Sequence, residues 1–319
     1  MALLLREADV QKLISMPRTI ELVERVHREH SLGQAYDVPR ERTRLPKATL
    51  HILQGAVPSD NVFGYKAYTA SREGARFLVY LFDAERASLE AVVEADRLGM
   101  TRTGATGGVA AKWLARPDAR TVGMFGAGWQ AEGQLEALAQ VRKLERVKVF
   151  SRTAERLAKF CEEMGKRLSL EVVPAVSARD AVEGSDIVVT ITTSATPLFD
   201  GEWLAPGTHV NAAGSNSLVR REIDETSVRR AKPVVVDSRA TALKEAGDLL
   251  PALEKGRLHA GELVELGEVI AGTRSGRTSA EQITLFESQG MAIQDLAVAA
   301  DLVRRAREAG MGVELDLAK

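Results

Sequence analysis

The chain has almost no cysteine, almost no net charge and no long apolar run. Cys161 is the only cysteine in 319 residues. An internal disulfide and a multi-cysteine metal site are therefore both excluded. It sits in LAKFCEEMGK, a helical pattern where an unreactive thiol is expected. Lysines and arginines (43) nearly balance aspartates and glutamates (44), and the net charge of −1 gives no pull toward nucleic acid or a membrane surface. No run of about 18 apolar residues offers a membrane span. The opening MALLLREADVQKLI has too short an apolar run for a signal peptide, so a cytoplasmic location is expected by default. The five histidines show no metal spacing; His51, His209 and His259 are expected to satisfy local hydrogen bonds. What remains is an ordinary globular composition, 45% hydrophobic and 27% charged, long enough for one large or two medium domains.

The most informative stretch is TVGMFGAGWQA, residues 121–131. A short apolar run ends in Gly126-Ala127-Gly128-Trp129-Gln130-Ala131, and the helix-like EGQLEALAQV follows. Strand, Gly-x-Gly-x-x-Ala, helix is the dinucleotide-binding fingerprint. Gly126 makes the tight turn, Gly128 lets the backbone approach a pyrophosphate, and Ala131 lets the helix pack on the strand. The helix N-terminus then offers N–H groups and a positive dipole end to the phosphates.

Downstream, strand and helix patterns alternate. VKVFS (147–151), LEVVPA (170–175), DIVVTIT (186–192), THVNAAG (208–214) and PVVVDS (233–238) read as strands, and TAERLAKFCEEMGKRL as an amphipathic helix. Repeated strand–helix units predict an α/β, Rossmann-type doubly wound parallel sheet whose strand ends line a ligand crevice. Residues 48–100 differ: NVFGYKAYT, ARFLVYLFD and SLEAVVEAD, joined by SREG and DAERA, suit antiparallel hairpins. Residues 104–116 and 290–309 read as helices, and 271–282 as an exposed excursion.

The end of the second strand bears on the cofactor. NAD sites often place a carboxylate there for the ribose 2′-hydroxyl. This chain has Ser151-Arg152-Thr153, with Arg156 one turn further on. Arg152 can pair with a 2′-phosphate that an acid would repel, and Ser151 and Thr153 can donate hydrogen bonds. NADP(H) is therefore expected to be preferred, with NAD(H) possible.

The ordered set MTRTGATGGVAAKWLARPDA (100–119), GAGWQA, SDIVVTITTSATPLF (185–199), PGTHVNAAGSN (206–216), VVVDSRATALKEAGDLL and ITLFESQGMAIQDLAVA resembles the ornithine cyclodeaminase and mu-crystallin family over nearly the whole chain. The resemblance implies a homodimer and a discontinuous second domain. Residues 1–108, joined by a C-terminal helix over 291–319, would form an α+β substrate-binding and dimerisation domain, and 109–290 the Rossmann domain. It also implies that basic residues of the first domain grip a substrate carboxylate. Arg42 (in VPRERTRLP, where Arg40 and Arg44 compete in the same loop), Lys66 (FGYKAYT) and Arg102 (MTRTGA) match those positions. A guanidinium fork holds a carboxylate well, and a second cation deepens the well. Expected cofactor contacts, besides the fingerprint and Ser151–Arg156, are Thr103, Thr190, Thr192, Asn211, Ser288 and Gly290.

One departure redirects the chemistry. Cyclodeaminases of the resembled family carry an acid/base Asp at about position 216, where this chain has Asn216 in Gly214-Ser215-Asn216-Ser217. An amide cannot exchange protons as a carboxylate does. Glu222 and Asp224 read as helix-start acids, and no other acid is an obvious replacement. Reduction of a C=N bond, whose nitrogen arrives already protonated, suits Asn216 better than oxidation of an amine with ammonia release. The expected function is NADPH-dependent reduction of a cyclic ketimine or α-imino acid, an amino-acid dehydrogenase when reversed, with Lys66 and Asn216 as catalytic residues. Ornithine cyclodeamination with bound NAD and a non-catalytic, mu-crystallin-type binding protein are the alternatives. No nucleic-acid or membrane partner is expected.

Overall fold

The computed structural model describes residues 1–316. Its contacts divide the chain into two compact units, one from Met1 to Arg102 together with the segment from Gly290 onward, and one from Thr103 to Gln289. The first division falls inside a helix, after Arg102 rather than after 108.

The first unit begins with β1 (Ala2–Leu5), α1 (Glu7–Leu13) and α2 (Met16–Ser31). A run of strands follows: β2 (Tyr36–Arg44), β3 (Ala48–Val57), β4 (Val62–Ser71), β5 (Gly74–Asp83) and β6 (Leu89–Glu94), then α3 (Asp96–Leu114). The second unit contains β7 (Thr121–Phe125), α4 (Trp129–Val141), β8 (Arg146–Phe150), α5 (Ala154–Leu168), β9 (Glu171–Pro174), α6 (Ala178–Val182), β10 (Ile187–Thr190) and β11 (His209–Ala212). It continues through α7 (Glu225–Arg230), β12 (Ala231–Val236), α8 (Arg239–Glu245), α9 (Leu250–Glu254), β13 (Val264–Glu265), α10 (Leu266–Ile270) and β14 (Ile283–Glu287). The chain then returns to the first unit with α11 (Ala292–Glu308) and β15 (Val313–Leu315).

The first unit is a seven-stranded sheet in the order β15-β1-β6-β5-β4-β3-β2. β2 to β6 pair antiparallel, with β4 and β5 in register over the SREG turn and β5 and β6 joined across DAERA. The segment around Arg42, expected as a loop, is strand β2. α11 lies across one face, where Gly55 and Gly64 let Ala292, Ile293 and Leu296 approach the strands closely. The expected helix over 291–319 is shorter: it ends at Glu308, and Gly310 and Gly312 turn the chain into β15. Residues 317–319 of that expectation lie outside the described residues. The opposite face of the sheet carries Tyr36, Val38, Leu50, Ile52 and Phe63, all exposed, beside the stacked pairs Phe63–Phe82 and Tyr65–Tyr80.

The second unit is the predicted α/β fold. Its eight strands are all parallel, in the order β13-β12-β14-β11-β10-β7-β8-β9. Alternate residues feed two cores, one on each face. Val122, Met124, Val147, Val149, Ile187 and Val189 pack with Leu135, Leu138 and Phe160 of α4 and α5. Phe125, Val188, Val210, Val234 and Val236 pack on the other side with Val182 and Val228. Cys161 is buried in the first of these cores, where burial pushes its thiol up to about 11 and leaves it unreactive.

No helix of the described residues is long and apolar enough to cross a membrane.

Candidate active site

The first unit buries a cation cluster beneath α11. Lys66 sits on β4 opposite Leu53 of β3 and Val79 of β5, on the sheet face that α11 covers. Period-two alternation puts Lys66 on the same side as Gly64, so the lysine points into the helix packing. It is 2% exposed. Its Nζ donates to Asp295 Oδ1 at 2.8 Å and lies 5.1 Å from the centre of the Phe77 ring. Arg102, near the middle of α3, donates from Nε to the same Asp295 oxygen at 3.1 Å and from a terminal nitrogen to Gln294 Oε1 at 2.9 Å. Gln294 in turn approaches the buried His27 at 3.0 Å. Burial holds His27 at about 3, so it is neutral and accepts from the Gln294 amide, which turns the Gln294 carbonyl toward Arg102.

Asp295 carries no exposed surface and remains ionised, because Arg102 and Lys66 outweigh its desolvation. Lys66 is lowered to about 8: burial removes more stabilisation from the ammonium than Asp295 restores, and Arg102 and Arg40 add repulsion. Two buried cations thus share one carboxylate oxygen. Gly290 has a steric part in this arrangement. Its φ is +84°, and a Cβ there would fall 2.7 Å from an Arg102 terminal nitrogen. Gly290, expected as a cofactor contact, leaves room here for the Arg102 guanidinium.

Arg42 pairs across the strands with His51, which lies opposite Tyr68, so Arg42 shares the Lys66 face of the sheet and is half-buried. Arg40 is the deeper of the two, 5% exposed, and its charge reaches Lys66. His51 is not satisfied as expected: its Nδ1 is buried without a hydrogen bond among the described residues, and the ring stacks on Tyr68 at 4.2 Å. Burial and the charges of Arg42, Arg40 and Arg44 lower it to about 4.

In the second unit the fingerprint forms the turn from β7 into α4. Gly126 has φ +116°, and a Cβ there would strike the Ile191 carbonyl at 2.6 Å, so only glycine fits. Gly128 heads α4 with no side chain capping the helix, and nothing lies within 4 Å of where its Cβ would be. Open space over an uncapped helix start is what a pyrophosphate requires. Gln130 Oε1 is buried and has no partner among the described residues. These features fit a dinucleotide. Ala127 is buried, while Trp129 is exposed. Ser151 closes β8, and Arg152, Thr153 and Arg156 are all exposed there; Thr153 is the N-cap of α5.

The remaining expected contacts divide. Thr190 and Asn211 are completely buried within β10 and β11. Asn211 donates to the Gly107 carbonyl at 3.0 Å and accepts from His209 at 2.9 Å, so it ties α3 to the sheet and does not face a ligand. Those two assignments are corrected: Thr190 ends β10 and Asn211 is the last but one residue of β11, but both side chains turn into the packed interior. His209 also meets Thr284 at 2.9 Å, a satisfied core histidine. Thr103 offers its carbonyl to Gln134 at 3.1 Å. Thr192, Asn216 and Ser288 do lie at the C-terminal strand ends, with Asn216 half-buried and Ser288 near Asp237 at 3.4 Å.

Around that loop stands a cluster that sequence reasoning missed. Glu222 is not a helix-start acid. It is fully buried, and it accepts from Thr192 N and Oγ1 at 2.6 Å each and from Gly214 N at 2.7 Å. Burial raises it to about 7. Asp224 is the helix-start acid, capping α7 through Ser227 N at 2.7 Å. Asp248 and Glu287, also fully buried, stand beside Glu222. Among the described residues no group of three or more His, Cys, Asp or Glu is arranged to hold a metal ion.

A model of the ornithine cyclodeaminase/mu-crystallin family matches residues 2–310. The chain belongs to that family. It is 34% identical to a Delta(1)-pyrroline-2-carboxylate reductase of Bacillus cereus, over 96% of this chain and 97% of the relative. Among solved structures, the Delta(1)-pyrroline-2-carboxylate reductase of Thermococcus litoralis in complex with NADH and L-proline superposes with a TM-score of 0.94 at 34% identity, covering 98% of this chain and all of the other. An archaeal alanine dehydrogenase dimer with bound NAD superposes with a TM-score of 0.94 at 32% identity, covering 99% of each chain.

Proposed function

We propose that this chain is an oxidoreductase that reduces the C=N bond of a cyclic ketimine or α-imino carboxylic acid. In the reverse direction it would act as an amino-acid dehydrogenase. The observation that carries the reading is the shared Asp295, which holds the buried Lys66 and Arg102 side by side in fixed positions. Two adjacent cations of this kind suit a substrate carboxylate. The relatives that reduce imines or oxidise amino acids support the same chemistry.

A bound nicotinamide would supply or accept the hydride. The chain's own residues do the rest. Lys66 and Arg102 hold the carboxylate, with Arg42 as a third candidate on the same sheet face. Lys66, lowered to about 8, can carry a proton on Nζ and give it to the substrate nitrogen once hydride addition to the carbon has restored that nitrogen's lone pair. Asn216 offers an amide that can hydrogen-bond but cannot act as a base. Holding both reactants fixed would supply much of the rate through orientation.

We also propose a preference for NADPH over NADH, supported by Ser151 and the exposed Arg152 and Thr153 just after β8 and by the lack of a carboxylate among them. The exposed apolar sheet face bearing Tyr36, Val38, Leu50, Ile52 and Phe63 supports a homodimer, because a patch of that kind is normally covered.

Incubation with pyrroline-2-carboxylate or piperideine-2-carboxylate and NADPH is the test, and NADPH consumption is expected. Ammonia released from ornithine without net cofactor change would replace this reading with a cyclodeaminase. Tight NADPH binding with no turnover on any imine would replace it with a binding protein.

A further inference from the structure

The loop that carries Asn216 is held by an unusual set of groups. Glu222 joins the end of β10 to the end of β11 through Thr192 and Gly214. Asp248 Oδ1 accepts from the backbone N–H groups of Glu222 and Ile223 at 2.6 and 2.8 Å, fixing the far end of the loop. Glu287, the last residue of β14, accepts from Gln289 Nε2 at 2.9 Å, and the same amide reaches the Ser215 carbonyl at 3.5 Å, a weak contact. Gly214 and Ser215, the two residues before Asn216, are therefore tied, directly or through one neighbour, to a buried acid.

The carboxyls of Asp248 and Glu287 neighbour each other. Asp248 Oδ2 and Glu287 Oε2 are buried with no hydrogen-bond partner among the described residues. Two adjacent carboxylates repel unless one holds a proton, and neither side chain has exposed surface. We propose that Glu287 holds a proton and donates it to Asp248, that this pair together with Glu222 clamps residues 213–223, and that Glu287 is thereby a positioning residue for Asn216. The part concerning Asn216 rests on the function proposed above; the shared proton does not.

The electrostatics run the same way. The strongest influences on Glu287 are burial and then the charges of Asp248, Glu222 and Asp237, all of which favour its neutral form. Glu222 and Asp248 are raised as well, chiefly by burial. The folded protein therefore binds protons that the unfolded chain would release. Stability from this source is complete below the ordinary carboxylate range and is lost as pH rises toward the folded values.

The test compares Glu287→Gln with Glu287→Ala in the full-length protein. Glutamine keeps a neutral donor toward Asp248, so kcat and KM for the imine should stay within about twofold of wild type. The folding equilibrium constant of wild type should fall with rising pH by as much as about tenfold per unit, and Glu287→Gln should fall less steeply. Glu287→Ala should lower kcat at least tenfold with cofactor affinity little changed, and the glutamine variant restores it. Equal pH slopes in wild type and Glu287→Gln would overturn the shared proton. An alanine variant as active as wild type would overturn the positioning role. Asn216→Ala separates the two readings: if it too keeps full kcat, the assignment of Asn216 has failed, and the pH slopes still decide the shared proton.

Discussion

In the mixed-sheet unit, Lys66 and Arg102 are buried against one ionised carboxylate, Asp295. In the parallel-sheet unit, Glu222, Asp248 and Glu287 are buried together, and the strongest charges acting on Glu287 are other acids. Both arrangements remove charge from water, which costs several kcal/mol per ion unless something compensates. The first compensates by pairing and stays charged. The second compensates with hydrogen bonds to backbone and side-chain donors and with a raised affinity for protons. A charged cluster with two cations suits capture of an anion, whereas a hydrogen-bonded cluster of acids suits a fixed scaffold.

The largest effect should come from breaking the pairing. Asp295→Ala leaves two buried cations without their anion, and the expected loss is about 3–5 kcal/mol of folding stability at pH 7.5. Glu287→Gln at the same pH replaces a neutral acid by a neutral amide and should change stability by less than about 1 kcal/mol. Chemical denaturation of both variants measures the difference. Similar losses in the two would mean that the acids of the two units are not handled differently.

Next in size are the cations themselves. Arg102→Ala and Lys66→Ala should each lower kcat/KM for the imine roughly 100-fold, about 2.7 kcal/mol, which is the scale of one charge-assisted contact in a buried site. The Kd for NADPH, read by fluorescence titration, should stay within about twofold. Wild-type turnover in both variants would mean that the cluster serves stability alone.

The same contrast marks what the sequence made legible. The parallel-sheet unit was readable because each strand and helix announces itself within a dozen residues: apolar runs such as DIVVTIT, and the glycine turn before α4. Lys66 and Arg102 stood out because each lies inside a quotable motif. Their partner did not, because Asp295 lies 229 residues from Lys66 and its contact depends on how α11 crosses the sheet. A signal was present: Gln294-Asp295 is a polar pair inside the apolar run Met291–Ala299 of a buried helix. Glu222 looked like an ordinary acid before α7, and only the strand order brings it under Thr192 and Gly214. Thr190 and Asn211 failed in the other direction, since a motif position near a strand end gives no warning that the side chain turns inward.

The pH dependence of stability should sharpen the comparison. Glu222 is raised to about 7, so the folded state binds more protons than the unfolded chain between about 4.5 and 7, and stability falls with pH across that window. Lys66 is lowered to about 8 from 10.5, so the folded state binds fewer protons above 8, and stability rises from there toward 10.5. Each slope is at most about 1.4 kcal/mol per pH unit. Glu222→Gln should flatten only the acid window and Lys66→Met only the alkaline one, measured by urea unfolding from pH 5 to 10. Catalysis follows the charge of Lys66: KM for the imine should rise up to about tenfold per unit above pH 8 in wild type and stay flat in Lys66→Met.

The smallest effect concerns a cation that neither unit has buried. Arg152 is exposed and makes no ion pair among the described residues, so water already solvates it. A 2′-phosphate would gain one charge-assisted contact with it, yet in high dielectric such a contact is weaker than the buried ones and is screened by salt. Arg152→Ala should therefore reduce the NADPH-over-NADH ratio of kcat/KM by about tenfold, leaving NADH kinetics nearly unchanged. The loss should shrink as ionic strength rises, whereas the loss in Arg102→Ala should hold, because a buried charge is not reached by salt. Equal salt sensitivity in both variants would mean that Arg102 meets its substrate in water and that burial is not what gives the cluster its strength. A ratio untouched by Arg152→Ala would move any 2′-phosphate recognition to Ser151, Thr153 or Arg156.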